Sequence, residues 1–262
     1  MAETRIVGKN ARLYFGSLPL YLKAFEMELG MELNLEDGTA FGVDWKQFVL
    51  IDGQVTMAVN AFMDTSRPPD ILAEDYVTDQ AYWDAAISGG VLNESPTITS
   101  MVINNVATGG TQAYFLNARS GAFAINAPRN SLGRIRGNFN GAGQLNRGYI
   151  IAQVEQSFPV GTTYIPTAPG DIDLGAAGTI GANAALHVYR KTSTGSFTIT
   201  IEDTATSGSG WATMITFTAF TARTSEYKED RVDAGKRYQR VKVVNSGGGA
   251  ETLGLIVVSR NV

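Results

Sequence analysis

At 262 residues, with 25 acidic and 21 basic side chains, one histidine and no cysteine, the chain excludes disulfide staples, thiolate metal sites and any chemistry that needs a pair of histidines. Its length suits one large β domain or two ordinary ones, and 29 glycines with 8 prolines and 10% aromatics point to many short strands joined by turns. No basic segment followed by an apolar run opens it, and no stretch approaches the roughly 20 consecutive apolar residues of a membrane span, so a soluble, non-secreted protein without a membrane partner is expected.

The net charge of −4 is unevenly spread. Residues 1–95 hold 15 acids against 6 bases, residues 96–160 hold 1 against 5, and the rest hold 9 against 10. Wrapping a nucleic-acid backbone needs clustered Lys and Arg, which this balance does not supply, although a surface past which DNA slides is compatible with it.

From Phe25 to Glu36 the residues alternate without a break. Phe25, Met27, Leu29, Met31, Leu33 and Leu35 fall on one side, and Glu26, Glu28, Gly30, Glu32, Asn34 and Glu36 on the other. Glu, Met and Leu favour helix, but a helix would scatter these apolar residues around its circumference, so the period predicts a strand with a carboxylate face. After a turn at Asp37-Gly38 a second run places Val55, Met57, Val59 and Ala61 opposite Gln54, Thr56, Ala58 and Asn60, and Asp52-Gly53 reads as a hairpin dipeptide before it. Arg67-Pro68-Pro69-Asp70 then breaks the pattern. Asp70 is a fitting N-cap for a helix over 71–87 on Leu72, Tyr76, Trp83 and Ile87, stopped by Gly89-Gly90.

Strand signals resume at Thr97–Asn104, Gln112–Asn117, Ala122–Asn126, Gly133–Phe139 and Tyr149–Val154, separated by Gly-Gly, Ser-Gly and Gly-Ala-Gly turns. The Pro- and Gly-rich stretch near 158–183 reads as a linker, which gives domains at 1–158 and 184–262 with a linker at 159–183. The last part carries strands at Ala184–Tyr189, Phe197–Glu202, Met214–Phe220, Tyr238–Val244 and Thr252–Val258, spaced as in an immunoglobulin-like or jelly-roll-like β-sandwich.

Sites of chemistry are few. His187, the single histidine, lies in the apolar run Ala185-Leu186-His187-Val188-Tyr189 and reads as a satisfied strand residue and not a catalytic base. Asp171 and Asp173 have the spacing of two calcium ligands, but turn chemistry accounts for them. Gly247-Gly248-Gly249 precedes no helix and is a turn, not a phosphate loop. Arg134, Arg136 and Arg147 lack the interleaved aromatics that stack bases. No catalytic, cofactor or metal residue is assigned, and no enzyme activity is expected. A hydrolase would need paired carboxylates across a cleft, which nothing marks.

The string GTAFGVDWKQFVLIDGQVTMAVNAFMD at 38–64 resembles the major tail tube proteins of long-tailed, siphovirus-like bacteriophages. There an acidic strand precedes a Thr-Gly turn, an aromatic-basic stretch and a strand ending in a Gly- or Ala-Phe-x-Asp element. YFLNARSGAFAINAPRNSLGRIRGNFNGAGQLNRGYIIA, from Tyr114, is similar to that family's later strands, so the likeness covers residues 1 to about 155. ALHVYRKTSTGSFTITIEDTATSGSGWATMITFTAFT followed by RYQRVKVVN resembles the β-sandwich that many of these proteins append. Ala61 stands where the family often has Gly.

The resemblance implies a mainly β fold: a tail-tube domain, sandwich-like and barrel-forming, with one flanking helix, followed by a second β-sandwich. It implies a structural virion protein located in the phage tail and assembled in the bacterial host cytoplasm. Self-association into hexameric rings that stack into a tube is expected, with the tape measure protein and the tail tip or terminator proteins as partners. Double-stranded DNA would pass through transiently. Gln54, Thr56, Ala58 and Asn60 are the expected lumen-facing residues. Glu26, Glu28, Glu32, Glu36, Asp44, Lys46, Arg134 and Arg136 are the expected inter-subunit or ring-stacking residues. The alternative is a two-domain β binding module that recognises carbohydrate or a host surface through Trp211 and Tyr238.

Overall fold

Period-2 alternation is realised as antiparallel pairing along almost the whole chain. The structure, a computed structural model, describes residues 12–20, 24–37, 48–62, 87–88, 91–92, 95–102, 110–126, 133–165, 171–192, 195–230 and 234–262. Its strands are β1 (Arg12–Phe15), β2 (Leu18–Pro19), β3 (Ala24–Asp37), β4 (Phe48–Phe62), β5 (Ile87–Ser88), β6 (Val91–Leu92), β7 (Thr97–Val102), β8 (Gln112–Asn126) and β9 (Arg134–Gly141). They continue as β10 (Asn146–Phe158), β11 (Gly161–Ile165), β12 (Ile172–Asp173), β13 (Ala182–Lys191), β14 (Phe197–Thr204), β15 (Ala212–Thr216), β16 (Thr224–Asp230), β17 (Tyr238–Asn245) and β18 (Glu251–Asn261). The mainly β class expected from composition and periodicity is the observed one.

An 11-stranded sheet is organised around one long hairpin. β9 and then β10 run along the same edge of β8, with β9 opposite Ala118 to Asn126 and β10 opposite Gln112 to Phe115. Beyond β9 the sheet continues through β4 to β3, and beyond β10 it continues through β18 to β13 and β16. On the other side of β8, β7, β1 and β2 follow in order. The sheet therefore forks: β3 and β4 extend it at one end of the hairpin, and the C-terminal strands extend it at the other.

Burial follows the fork. β13 and β18 read as near-continuous apolar runs and are buried on both faces. One face, with Leu186, Val188, Leu253, Leu255 and Val257, packs on a five-stranded sheet of β11, β12, β14, β15 and β17 through Phe197, Ile199, Val241 and Val243. The other face, with Ala185, Ile256 and Val258, packs on Tyr14, Ile98, Val102 and Phe115, so the large sheet curls back on itself. A third cluster backs β3, β4 and β9: Met57, Val59, Ala61, Ile135 and Phe139 lie against Leu13, Phe15, Leu20 and Leu116.

Several local expectations are corrected. Asp52-Gly53 is not a hairpin turn, because β4 runs straight through it opposite Asn34 and Leu33, with the register shifting beside it at Asn34/Leu35. Ser120-Gly121 does not separate two strands either. It is a bulge in β8, between Ser120 and Ala122, where a side chain at Gly121 would strike Asn140. Ile87 lies in β5, paired with Leu92, and not at the end of a helix, whereas residues 71–86 of the expected helix lie outside the described residues. The stretch read as a linker holds β11 and β12, both paired to β17, and the 11-stranded sheet joins strands from before and after it.

Candidate assembly face

Register decides which residues of β3, β4, β9 and β8 share a face. In β3 and β4, Glu26 pairs with Asn60, Glu28 with Ala58, Gly30 with Thr56 and Glu32 with Gln54. In β4 and β9, Thr56 pairs with Asn140, Ala58 with Asn138, Asn60 with Arg136 and Phe62 with Arg134. In β9 and β8, Arg136 pairs with Ala124, Asn138 with Ala122, Asn140 with Arg119 and Arg134 with Asn126. Directly opposed residues of antiparallel strands project the same way. Glu26, Glu28, Glu32, the Gln54 to Asn60 row, Arg134 and Arg136 therefore stand on one wet face, while Met27, Leu29, Val55, Met57, Val59, Ile135 and Phe139 back the other. Sequence reasoning divided these polar residues between a lumen and a subunit interface, and the register brings them together.

The face is ordered by charge from one edge to the other. β3 carries exposed Glu26, Glu28 and Glu32, β4 carries neutral polar and small residues, and β9 carries exposed Arg134 and Arg136 beside half-buried Asn138 and Asn140. β8 closes it with Arg119, Ala122, Ala124 and Asn126, all exposed. Asn60 Nδ2 donates to Glu26 Oε2 at 2.7 Å, and Arg136 Nε donates to Asn138 Oδ1 at 3.3 Å, which fixes part of the row. Arg119, Asn138 and Asn140 were not singled out from sequence, although the alternation of Arg134, Arg136, Asn138 and Asn140 carries the same signal as β3. Glu36 lies in β3 opposite Val49, and Asp44 and Lys46 lie outside the described residues.

Both outer edges of this four-stranded extension lack a partner strand among the described residues. β3 pairs only with β4. β8 pairs with β7 over Ala113 to Ala118, and beyond Ala118 its outer edge has no hydrogen-bonded strand among the described residues, although β6 comes close to β8. Such edges are templates for pairing with another chain unless something covers them.

Other candidate groups are absorbed by structure. His187 is wholly buried, with Nδ1 2.6 Å from Gly16 O and Nε2 2.7 Å from Ser100 Oγ. A carbonyl only accepts, so Nδ1 carries the proton and the Ser100 hydroxyl donates to Nε2. Burial pushes the imidazole pKa down to about 4, partly opposed by the Gly16 carbonyl. His187 is thus a neutral clasp between β13, β7 and the β1–β2 turn. Asp173 accepts Arg237 through both oxygens, at 2.6 and 2.5 Å, and the Gly175 amide at 2.8 Å, and this Arg237 pairing holds its carboxyl below the usual range. Asp171 accepts the Gly208 amide at 2.8 Å. Asp173 closes a local turn and Asp171 ties its loop to the one at Gly208, and among the described residues no three His, Cys, Asp or Glu side chains converge as a metal site.

The aromatics considered for sugar stacking are covered by arginines. Arg240 lies 4.0 Å from the Tyr164 ring centre and 4.3 Å from that of Trp211, and is tied to Glu202 at 2.6 Å. Arg237 lies 5.1 Å from the ring of Tyr238. These are cation–π staples across the outer face of the five-stranded sheet.

No protein-family model and no curated protein matches the chain. Among solved structures, it is similar to a chain in the virion of a native gene transfer agent particle, at 11% identity and TM-score 0.38, covering 54% of this chain and 97% of that one. It is also similar to the SPP1 Dit protein, described as a hub adsorption apparatus of phages infecting Gram-positive bacteria, at 7% identity and TM-score 0.33, covering 95% and 99%. A chain of the phage p2 baseplate in its activated conformation matches at 10% identity and TM-score 0.31, covering 96% and 98%. Likeness at this level fixes no role.

Proposed function

We propose that the chain is a structural subunit of a bacteriophage tail that self-associates into rings, stacked as the conduit for DNA ejection. The observation that carries this reading is the four-stranded extension: a sheet with one mostly packed apolar face, one wet face and, among the described residues, no hydrogen-bonded strand on the outer side of β3 or of β8 beyond Ala118. Ring closure is a physical remedy for such edges, because each open strand gains a neighbour and the sheet becomes a barrel without ends. On this reading the extension of β3, β4, β9 and β8 supplies the ring-forming part, and the packed sheets of β13, β18 and the five-stranded sheet form an outward β-sandwich. The tape measure and tail tip or terminator proteins are its partners, and the subunit is no enzyme.

The wet face suits the wall of a DNA channel. Gln54, Thr56, Ala58 and Asn60 offer phosphates no cation, and the arginines of β9 share the face with the carboxylates of β3, so no uncompensated basic band lines it. Tight phosphate binding needs such a band, because its affinity comes from counterion release. DNA would move past without being held.

Electron microscopy of the purified chain over a concentration series tests the proposal. Rings or hollow tubes of uniform bore are expected as concentration rises. Monodisperse single subunits at every concentration, also in the presence of tail tips, would contradict it.

A further inference from the structure

We propose that Lys191 and Asn245 join their side chains in an isopeptide bond, with Glu251 moving the proton, and that this bond staples together the two sheets of the C-terminal sandwich.

Three polar side chains meet at one end of an otherwise apolar core. Lys191 on β13 lies opposite Leu253, and Glu251 stands two residues before Leu253 on β18, so both turn towards the five-stranded sheet. Asn245 ends β17 opposite Phe197 and turns inward with Val241 and Val243. Lys191, Glu251 and Asn245 are only 4%, 5% and 1% exposed. Lys191 Nζ donates to Glu251 Oε2 at 2.9 Å and stands 5.3 Å from the centre of the Phe197 ring, the cross-strand neighbour of Asn245. The other carboxylate oxygen approaches the amide. A Cβ on Gly247 would lie 2.6 Å from Glu251 Oε1 and 3.0 Å from Asn245 Oδ1, so the two groups face each other across that glycine. A Cβ on Gly195 would overlap Glu251 Oε1 as well.

An ion pair alone needs neither the amide nor the cleared space. The amide is held as an electrophile: Oδ1 accepts the Gly247 N–H at 2.8 Å, and Nδ2 donates to Phe158 O and Gly249 O, both at 3.0 Å. An N–H already aimed at Oδ1 stabilises the negative charge that develops there when Cγ is attacked. A lysine amine becomes a nucleophile when it is out of water beside a base, and Glu251 is that base.

The contacts above are those of the chain before the bond forms, and the step balances from them. Glu251 takes one proton from the Lys191 ammonium, and the neutral amine attacks Cγ of Asn245. The Nζ–Cγ bond forms, the Cγ–Nδ2 bond breaks, and a second proton passes from Nζ to Nδ2, which leaves as ammonia. Glu251 keeps the first proton. A buried pair of charges is thereby replaced by a neutral amide beside a neutral acid, which removes the cost of holding charge out of water. The bond closes a loop through β14, β15, β16 and β17 and restricts the unfolded chain as a disulfide would, in a sequence that has no cysteine.

Intact mass spectrometry of the folded full-length chain tests the proposal. A mass one ammonia below that of the sequence is expected, and proteolysis should release a branched peptide joining Lys191 to Asn245. Lys191→Arg and Asn245→Ala should keep the full sequence mass. Asn245→Asp should lose water in place of ammonia, because a carboxylic acid then supplies the acyl carbon. Glu251→Gln should slow bond formation on the order of a hundredfold, with both joining residues still in place. Full sequence mass in the unmodified chain would overturn the proposal. So would ammonia loss that maps elsewhere, for example to Asn140-Gly141, or that persists in Lys191→Arg. Undiminished bond formation in Glu251→Gln would overturn the role given to that carboxylate. Where a variant fails to fold, the mass and peptide map of the unmodified chain decide, and neither depends on whether rings form.

Discussion

The two ends of the large sheet are built from the same antiparallel ladder but put it to opposite uses. At the C-terminal end, β13 and β18 are covered on both faces and flanked on both edges, and nearly every residue from Ala182 to Val188 and from Leu253 to Ser259 is buried. At the other end, β3 and the second half of β4 alternate apolar with polar or small residues, one face is wet, and β3 has no strand on its outer side among the described residues. Stability is concentrated in the first region and surface chemistry in the second. A mutation at one end is therefore expected to read out as folding, and at the other as association.

The largest effect is expected where the sandwich is densest. Phe197 is fully buried, with Phe158 and Phe220 at 6.3 and 6.0 Å between ring centres. Phe197→Ala should cost about 3–5 kcal/mol in denaturant unfolding, from lost transfer energy and the cavity left behind. A loss well under 1 kcal/mol would mean that this region is not the stable part of the molecule.

Next is the buried ion pair. Lys191 Nζ lies 2.9 Å from Glu251 Oε2 with both side chains almost inaccessible, and the backbone of Gly195 lies so close that a Cβ there would strike the Glu251 carboxylate. Lys191→Met should cost roughly 3 kcal/mol or more, because it strands a buried carboxylate, and Glu251→Leu added to it should recover much of that loss. Thermal melts of the single and double variants check both statements.

His187 gives a pH signature. Its folded pKa of about 4 lies below the ordinary 6.5, so between those values the unfolded chain binds more protons than the folded one. The contribution is complete above about pH 6.5 and is lost as pH falls towards 4, with a limit on the order of 3 kcal/mol. Urea titrations over this window should show stability falling with acidity, and His187→Gln should flatten that slope.

The smallest folding effect belongs to the wet face. Gln54→Ala or Glu32→Gln should move monomer stability by no more than about 0.5 kcal/mol. Glu32→Gln should nevertheless weaken association, and higher salt should weaken the association of the unmodified chain, because exposed ionic contacts are screened. Stability shifts of several kcal/mol from either change would erase the distinction between the two ends.

How much of this was legible depends on which forces set each feature. The alternation over Phe25–Glu36 and Gln54–Ala61 reveals both strands and both faces, because one face is greasy and the other is not. Pairing register is not local, so the union of the glutamates, the Gln54 row and the arginines in one face could not be read from either strand alone. Asp52-Gly53 and Ser120-Gly121 look like turns by propensity, yet tertiary pairing carries β4 and β8 through them. β1, β2 and β16 escaped notice because they are short or charged edge strands, and β11 and β12 because prolines and glycines around them read as a linker. The isolation of His187 in an apolar run was visible, but its clasp to Ser100 and Gly16 joins residues far apart in sequence.

Amide hydrogen exchange, compared between dilute chain and assembled material, is the most direct test that the four-stranded extension is the associating part. The outward amides of β3 and those of β8 beyond Ala118 should exchange fast when dilute and become protected on assembly, while β13 and β18 stay protected throughout. Protection appearing instead at β15 or β16, with β3 still exchanging fast in the assembled state, would contradict it.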